Sequence, residues 1–195
     1  MGDGHSCIHL FERDCSFQRN FQKFIEFAPA PNHKLETKEK LYKYAVTLCK
    51  SVGYKGLGTV EFLIDKNEKI YFMEVNPRVQ VEHTITEELT GIDLIRSQIN
   101  VFCGLSIQDQ NLTEVNIIGK RASIQARLNM ESYDNKNQLV PTTGTIKEYD
   151  IVSGPGIRID GAGRVGFENN FYNQDGTLAS SNAERVAEVS KLINS

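Results

Sequence analysis

The sequence predicts an α+β fold built from an antiparallel sheet with helices, followed by a smaller β-rich part. Residues 59–64 and 70–75 alternate apolar and polar side chains, which is typical of the two strands of a hairpin. Residues 37–52 carry apolar side chains at helical spacing and predict a helix. The polar stretch 108–114 indicates a linker and precedes short β-like runs, so we expect a domain boundary between residues 113 and 114.

The other elements follow from local signals along the chain. Residues 8–12 and 21–27 predict two strands joined by a polar connection, with prolines ending the second strand. Residues 84–90 predict a short helix stopped by Gly91, and Asp93 is expected to cap a third helix. Beyond the boundary the sequence predicts three β-like runs and a final helix, at residues 122–128, 144–149, 156–160 and 183–193.

Composition narrows the class of protein. The 195 residues are 39% hydrophobic and 24% charged, with a net charge of −3. This charge excludes the basic footprint of a nucleic-acid-binding protein, and no apolar run approaches the length of a membrane span. The four cysteines are scattered without a Cys-x-x-Cys pair, which indicates reduced thiols. We therefore expect an intracellular protein, placed in the cytoplasm, with the mitochondrial matrix or a plastid as alternatives.

Two glutamates of the predicted hairpin form a candidate metal site. The register that pairs the apolar face throughout places Glu61 opposite Glu74, and Thr59 opposite Asn76. Like charges directly opposite each other destabilise a sheet, so a hard cation between them is the favoured explanation. Oxygen ligands favour Mg²⁺ or Mn²⁺. The alternative is a slipped register with two surface glutamates.

The same register defines an apolar face that we expect to lie in the core. Its predicted pairs are Val60 with Val75, Phe62 with Met73, and Ile64 with Tyr71.

A polar ladder follows the second hairpin strand. Arg78, Gln80 and Glu82 alternate with two valines, so an extended chain would place the three polar groups on one side. Arginine can bind an oxyanion through two N–H groups, and a glutamate can accept a proton. This set suits a small anion such as a carboxylate or bicarbonate. The alternative is a solvated edge strand.

Several ordered strings between residues 3 and 166 carry a resemblance to a known family. They include Glu12-Arg-Asp-Cys-Ser16, Gly58-Thr-Val-Glu-Phe62, Phe72-Met-Glu-Val-Asn-Pro-Arg-Val-Gln-Val-Glu-His83, Thr86-Glu-Glu-Leu-Thr-Gly-Ile-Asp93 and Ala126-Arg-Leu-Asn129. The chain thereby resembles biotin carboxylase, the ATP-grasp component of biotin-dependent carboxylases. The resemblance implies the C-terminal portion of an ATP-grasp domain at 1–113 and a small β-rich biotin carboxylase C-terminal domain at 114–195.

The resemblance also implies roles for individual residues. Glu61, Glu74 and Asn76 match the site of the metal that holds the ATP phosphates. The residues matching the bicarbonate site are Lys23, Arg78, Gln80, Val81 and Glu82, with Glu82 as general base. Gln18 and Lys23 match nucleotide contacts, and Arg158 matches the arginine that steadies the biotin enolate.

The implied reaction is a Mg-ATP-dependent carboxylation of biotin by bicarbonate, through carboxyphosphate. The implied partners are a biotinylated carrier domain, a carboxyltransferase component and, in the intact protein, a second copy of the chain. The family's N-terminal domain and lid have no match here, so we expect a fragment that is inactive alone. Phe21 replaces a histidine of many members, and the tail after Asn169 diverges. The alternatives are a carbamoyl-phosphate synthase-like ATP-grasp ligase and a non-catalytic fragment acting in assembly.

Overall fold

The computed structural model describes residues 1–19, 21–113, 122–129, 131–142 and 155–160. The chain divides into two compact units, Met1–Leu128 and Asn129–Ser195. The predicted strand 144–149 and helix 183–193 lie outside the described residues. Residues 155–160 contain a turn and irregular backbone, so the strand predicted at 156–160 is wrong.

The first unit combines short antiparallel sheets with three helices. Its elements are β1 (Gly2–Asp3), β2 (Asp14–Arg19), β3 (Gln22–Ala28), α1 (Leu35–Ser51), β4 (Lys55–Gly56), β5 (Thr59–Ile64), β6 (Ile70–Asn76), α2 (His83–Thr90), α3 (Leu94–Phe102) and β7 (Ser123–Ala126). The strands pair as β1–β4, β2–β3–β7 and β5–β6, and every pair is antiparallel. The predicted α+β class is confirmed for this unit.

The second unit contains one described hairpin, in which β8 (Glu131–Tyr133) pairs with β9 (Leu139–Pro141). The first unit extends past the predicted boundary at residue 113, because β7 pairs with β3 along its whole length. The family domain boundary itself stays a prediction.

The β5–β6 hairpin has the predicted register only at its open end. Glu61 pairs with Glu74, as predicted, and Thr59 pairs with Asn76. Beyond Glu61 the register shifts, and Phe62 pairs with Phe72 rather than with Met73. A β-bulge places two residues of one strand opposite one residue of the other, so the predicted pairs nearer the turn are wrong.

The apolar face of this hairpin was expected in the core, and the expectation is wrong. Of the six predicted members, Met73 is 45% exposed, Tyr71 44% and Val75 36%, and the other three are half-buried. The sheet has two strands, and Tyr44 of α1 lies near the Phe62 ring, with 6.5 Å between the ring centroids. Within the described residues, this face is therefore only partly covered.

The first strands also differ from the prediction. Residues 8–12 form no strand, whereas the stretch predicted as a polar connection forms β2. β2 lies at the edge of its sheet, and its side chains are mostly half-buried or exposed. An edge strand can be polar because its stability comes from backbone pairing with its single neighbour.

The helices follow the predicted signals. The predicted α1 is confirmed with shifted ends, and α2 ends where Gly91 adopts a φ of 74°. A glycine tolerates this left-handed conformation at no steric cost. α3 begins after Asp93, whose Oδ1 accepts a hydrogen bond from the Arg96 backbone N–H at 2.9 Å. None of the helices within the described residues has the length and apolar character that a membrane crossing requires.

Two clusters of buried side chains hold the first unit together. The larger is centred on α3 and consists of Met1, Leu57, Leu94, Val101, Ile107 and Leu112. Ile107 is fully buried and Leu112 is 8% exposed, so the stretch predicted as a linker packs into the core. The smaller cluster consists of Ala28, Ile85 and Leu89 and joins β3 to α2. It fixes the N-terminus of α2 beside the central strand of the sheet.

Candidate functional site

One ammonium group joins two carboxylates at the centre of the first unit. Lys23 projects from β3, and its Nζ donates hydrogen bonds of 2.8 Å to Glu61 Oε1 and to Glu82 Oε1. Glu61 lies on β5, and Glu82 is the residue just before α2. The three side chains are 5–16% exposed. Three separate elements therefore converge on Lys23, which both parts of the predicted site share.

The electrostatics of this group keep all three members charged. Burial opposes the charge on Lys23, but its hydrogen bonds to Glu61 and Glu82 outweigh burial and raise the pKa of its ammonium group. Burial likewise opposes the two carboxylates, yet the hydrogen bond from Lys23 to each lowers the pKa of both Glu61 and Glu82. A base with a lowered pKa is ionised at neutral pH and holds a proton weakly.

The candidate metal residues also come together. Asn76 Nδ2 donates to Glu61 Oε1 at 3.1 Å and to Glu74 Oε1 at 2.9 Å. The two carboxylates therefore share one face of the hairpin, as expected, and both reach the same atom. Among the described residues, no group of three or more His, Cys, Asp or Glu side chains could hold a metal ion. A cation here would take two carboxylates, and Asn76 would have to present its amide oxygen instead.

The polar ladder is not extended to its end. The backbone turns at residues 81–82 into α2, so the predicted extended run is wrong at this point. Gln80 and Glu82 are 7% and 4% exposed, whereas Arg78 is exposed and its Nη1 donates to the Val79 carbonyl at 3.1 Å. Gln80 Nε2 donates to Glu61 Oε1 at 2.9 Å. The ladder thus divides into a buried pair and one accessible guanidinium.

A cavity of about 430 Å³ opens beside these groups. Its lining includes Lys23, Glu61, Arg78 and Gln80. Gln18, the predicted nucleotide contact, also lines it, is exposed, and pairs with Lys23 across the β2–β3 register. The cavity therefore brings cationic and amide donors to one space, which is the chemistry that an anionic substrate requires.

Val81 and Arg158 are the remaining predicted site residues. Val81 is 44% exposed at the turn before α2. Arg158 lies in the second unit, where its Nε forms an ion pair of 2.6 Å with Asp160 Oδ2. Its role toward biotin stays a prediction.

Three further residues around Glu82 carried no assigned role in the sequence. Arg127 follows β7 and approaches Glu82 Oε2 to 4.0 Å through Nη2. Arg13 donates to Gln80 Oε1 at 2.5 Å. Glu26 is fully buried on β3, and neither of its carboxyl oxygens has a hydrogen-bond partner within the described residues. Both arginines lie in sequence strings that carry the family resemblance. Their position in these strings was the one feature of the sequence that could have marked them as site residues.

Glu26 is a buried carboxyl group whose pKa is shifted by its surroundings. Burial raises the pKa of the Glu26 carboxyl, and the negative charge of Glu82 raises it further. Arg127, Lys23 and Arg13 oppose that shift but do not overcome it. The pKa values of these two nearby carboxyl groups are thus shifted in opposite directions, upward for Glu26 and downward for Glu82.

Comparison with known proteins finds relatives of this chain. The family model described as "Carbamoyl-phosphate synthase L chain, ATP binding domain" matches residues 1–110. The pyruvate carboxylase of Aspergillus niger is 44% identical over 162 residues, which are 83% of this chain and 13% of that protein. The chain thus spans a small part of the curated relatives that it matches.

Solved structures share the fold as well. The biotin carboxylase subunit of pyruvate carboxylase matches with a TM-score of 0.73 and 38% identity, over 86% of this chain and 36% of that one. A biotin carboxylase–βγ-ATP complex from Campylobacter jejuni matches with a TM-score of 0.66 and 39% identity, over 75% of this chain and 31% of that one. At these identities the likeness extends beyond the fold to the family.

Proposed function

We propose that this chain, which belongs to the carbamoyl-phosphate synthase L chain ATP-binding domain family and is part of a biotin carboxylase, supplies the bicarbonate site and the metal-binding hairpin for ATP-dependent carboxylation of biotin. The observation that carries the proposal is Lys23, whose Nζ lies 2.8 Å from both Glu61 and Glu82. One cation thereby couples the carboxylate nearest the proposed metal to the proposed general base.

The bicarbonate site uses the donors that line the cavity. Lys23, Arg78 and the Gln80 amide line this cavity and can all donate to the oxygens of a small anion. Val81, next to Gln80 in the chain, is the remaining proposed contact. When bicarbonate takes the Lys23 hydrogen bonds, Glu82 loses the partner that lowers its pKa. Glu82 then accepts the bicarbonate proton as a bicarbonate oxygen bonds to the γ-phosphorus of ATP. The bond from that phosphorus to ADP breaks, so the products are carboxyphosphate and ADP. Substrate binding itself therefore prepares the base.

Mg²⁺ or Mn²⁺ would be held by Glu61, Glu74 and Asn76. The cation would neutralise charge on the ATP phosphates. Asn76 already lies between the two carboxylates, and rotation of its amide would present Oδ1 as a third oxygen ligand. Gln18 is the proposed contact to the nucleotide at the other side of the cavity.

The arginine that faces the biotin oxygen has two candidates. Arg158 is the one implied by sequence resemblance. Arg127 is supported by its 4.0 Å approach to Glu82, because the group that stabilises the biotin oxyanion must lie near the site where bicarbonate is activated. Replacing each arginine with lysine would separate them by the loss of free-biotin carboxylation.

The wider assembly follows from the family. We place a biotin carboxylase C-terminal domain, small and β-rich, after the ATP-grasp portion. The partners are ATP, bicarbonate, a biotinylated carrier domain, a carboxyltransferase component and a second copy of the carboxylase, in the cytoplasm or an organelle matrix. Detection of the protein in a secreted fraction would contradict this location, and sedimentation of the purified carboxylase tests the dimer.

Incorporation of labelled bicarbonate tests the reaction. The carboxylase that contains this chain should transfer labelled carbon to free biotin with stoichiometric ATP cleavage. A carbamoyl-phosphate synthase-like enzyme would instead need ammonia and release carbamoyl phosphate without biotin. A non-catalytic assembly fragment would support neither reaction. Ammonia-dependent product, or no bicarbonate-dependent ATP cleavage, would overturn the proposal.

Binding of Mn²⁺ tests the metal site. We expect Glu74→Gln in the carboxylase to weaken Mn²⁺ binding in the presence of ATP about tenfold or more, because one of two charged ligands is lost and a charged contact is worth about 1.5–3 kcal/mol. Electron paramagnetic resonance of free Mn²⁺ measures the affinity. The exposed glutamate Glu39 on α1 provides the control Glu39→Gln. Equal affinity in both variants would show that the ion binds elsewhere.

A further inference from the structure

One half-buried arginine hydrogen-bonds to three separate segments behind the bicarbonate site. Arg13 Nη2 donates to Gln80 Oε1 at 2.5 Å and to Thr59 Oγ1 at 3.1 Å. Its Nη1 donates to the Glu82 carbonyl at 3.3 Å and to Thr86 Oγ1 at 3.4 Å. The guanidinium thus joins β5, the turn before α2 and α2 itself.

The Gln80 side-chain amide has an acceptor, Oε1, and a donor, Nε2, and Arg13 can bond only to the acceptor. A guanidinium carries only donors, so only Oε1 of Gln80 can face Arg13. Nε2 must then point the other way, where it donates to Glu61 Oε1 at 2.9 Å. Arg13 and Glu61 together select this orientation. An amide that loses one of two such partners is less firmly held, and half a turn costs it little steric energy because its two ends have nearly the same shape.

We propose that Arg13 is a positioning residue for the bicarbonate site: it fixes the Gln80 amide so that its N–H groups face the anion, and it holds the turn that carries Glu82. The inference deepens the proposed function and rests on it for the identity of the anion. Gln80 is 7% exposed, so a reversed amide would turn a buried oxygen toward Glu61 and toward the anion. Two acceptors facing one anion repel it.

The guanidinium is the side chain that this position requires. Its two terminal nitrogens reach four acceptors in different directions through a rigid planar fork. A lysine at the same position has three donors on a single nitrogen and cannot reach both the Gln80 side and the Thr86 side. Arg13→Lys therefore keeps the charge and removes the positioning.

Hydrogen exchange of the Gln80 side-chain amide tests the contact in this chain, without any activity. We expect the two Nε2 protons of Gln80 to exchange at least tenfold faster in Arg13→Lys than in the wild type, measured by NMR with ¹⁵N-labelled glutamine. Arg96→Lys, at an exposed arginine of α3, is the matched control and should leave that rate unchanged. If Arg13→Lys does not fold, amide exchange in the wild type alone tests the proposal. Its Gln80 amide protons must exchange more slowly than those of the exposed Gln138, and equal rates would overturn the proposal.

Kinetics in the carboxylase test the consequence. Arg13→Lys should raise the KM for bicarbonate about tenfold and leave the KM for ATP unchanged. If Arg13 acts through Gln80, then Arg13→Lys adds little in a Gln80→Ala background, because coupled residues are not additive. If the effects of Arg13→Lys and Gln80→Ala on the KM for bicarbonate are fully additive, Arg13 is merely structural and the proposal is overturned. Faster amide exchange in an enzyme without a bicarbonate-dependent reaction would instead contradict the proposed function, and the role toward bicarbonate would fall with it.

Discussion

Replacing Glu82 with glutamine should lower bicarbonate-dependent turnover of the carboxylase by about 10²- to 10⁴-fold, the usual value of a general base. Glutamine keeps the size of the side chain but cannot accept a proton. Glu82 is 4% exposed and its two oxygens face Lys23 and Arg127, so bulk solvent has little access to accept the proton in its place. The measurement is initial-rate ATP cleavage at saturating bicarbonate.

The affinity for ATP separates the two proposed parts of the site. Glu82→Gln should change ATP affinity little, since the proposed metal ligands lie on the β5–β6 hairpin. The surface variant Glu39→Gln is the control for a charge change without a catalytic role. If Glu82→Gln abolished ATP binding while residual chemistry persisted, Glu82 would belong to the metal site. The assignment of the ladder to bicarbonate would then be withdrawn.

The candidate metal pair could be predicted because it depends on local pattern alone. Alternation in both hairpin strands fixes which side chains share a face, and pairing near Asn76 then places Glu61 opposite Glu74. The shift beyond Glu61 could not be predicted, because a bulge adds one residue to a strand without any special composition. The Glu61–Glu74 pair is nevertheless predicted correctly, because both glutamates lie between the bulge and the open end of the hairpin.

Elements and residues whose roles depend on tertiary packing could not be predicted from the sequence. β2 lies at the edge of its sheet, and its side chains can therefore be polar. In the sequence, a polar stretch beside an apolar one is assigned as a connection and not as a strand. Arg13 lies immediately before it, 67 residues from Gln80 in the chain, and no spacing rule joins the two. Glu26 alternates with apolar neighbours, and only burial without a partner distinguishes it from an ordinary strand glutamate. Such roles come from contacts between distant segments.

Replacing Lys23 with methionine should destabilise the chain by about 3 kcal/mol at neutral pH, near the low end for breaking a buried ion pair. Methionine fills similar space but leaves Glu61 and Glu82 without their shared cation. The low end is appropriate because Lys23 and Glu61 retain 16% exposure. Urea unfolding at constant salt measures the change. Lys40→Met, which removes an exposed pair with Glu36 on α1, should leave the unfolding free energy unchanged within error.

The pH dependence of that difference identifies the charges responsible. The pKa values of Glu61 and Glu82 are lowered in the folded chain, so their contribution is present above the ordinary value of 4.5. It is lost as the pH falls through the folded values. The pKa of Lys23 is raised, so its contribution is present below the ordinary value of 10.5 and is lost as the pH rises through the folded value. The stability difference between wild type and Lys23→Met should therefore be constant across the neutral range and shrink at both ends. A difference that persists undiminished in acid would mean that the methionine disrupts packing, and that the ion pairs of Lys23 do not hold the site together.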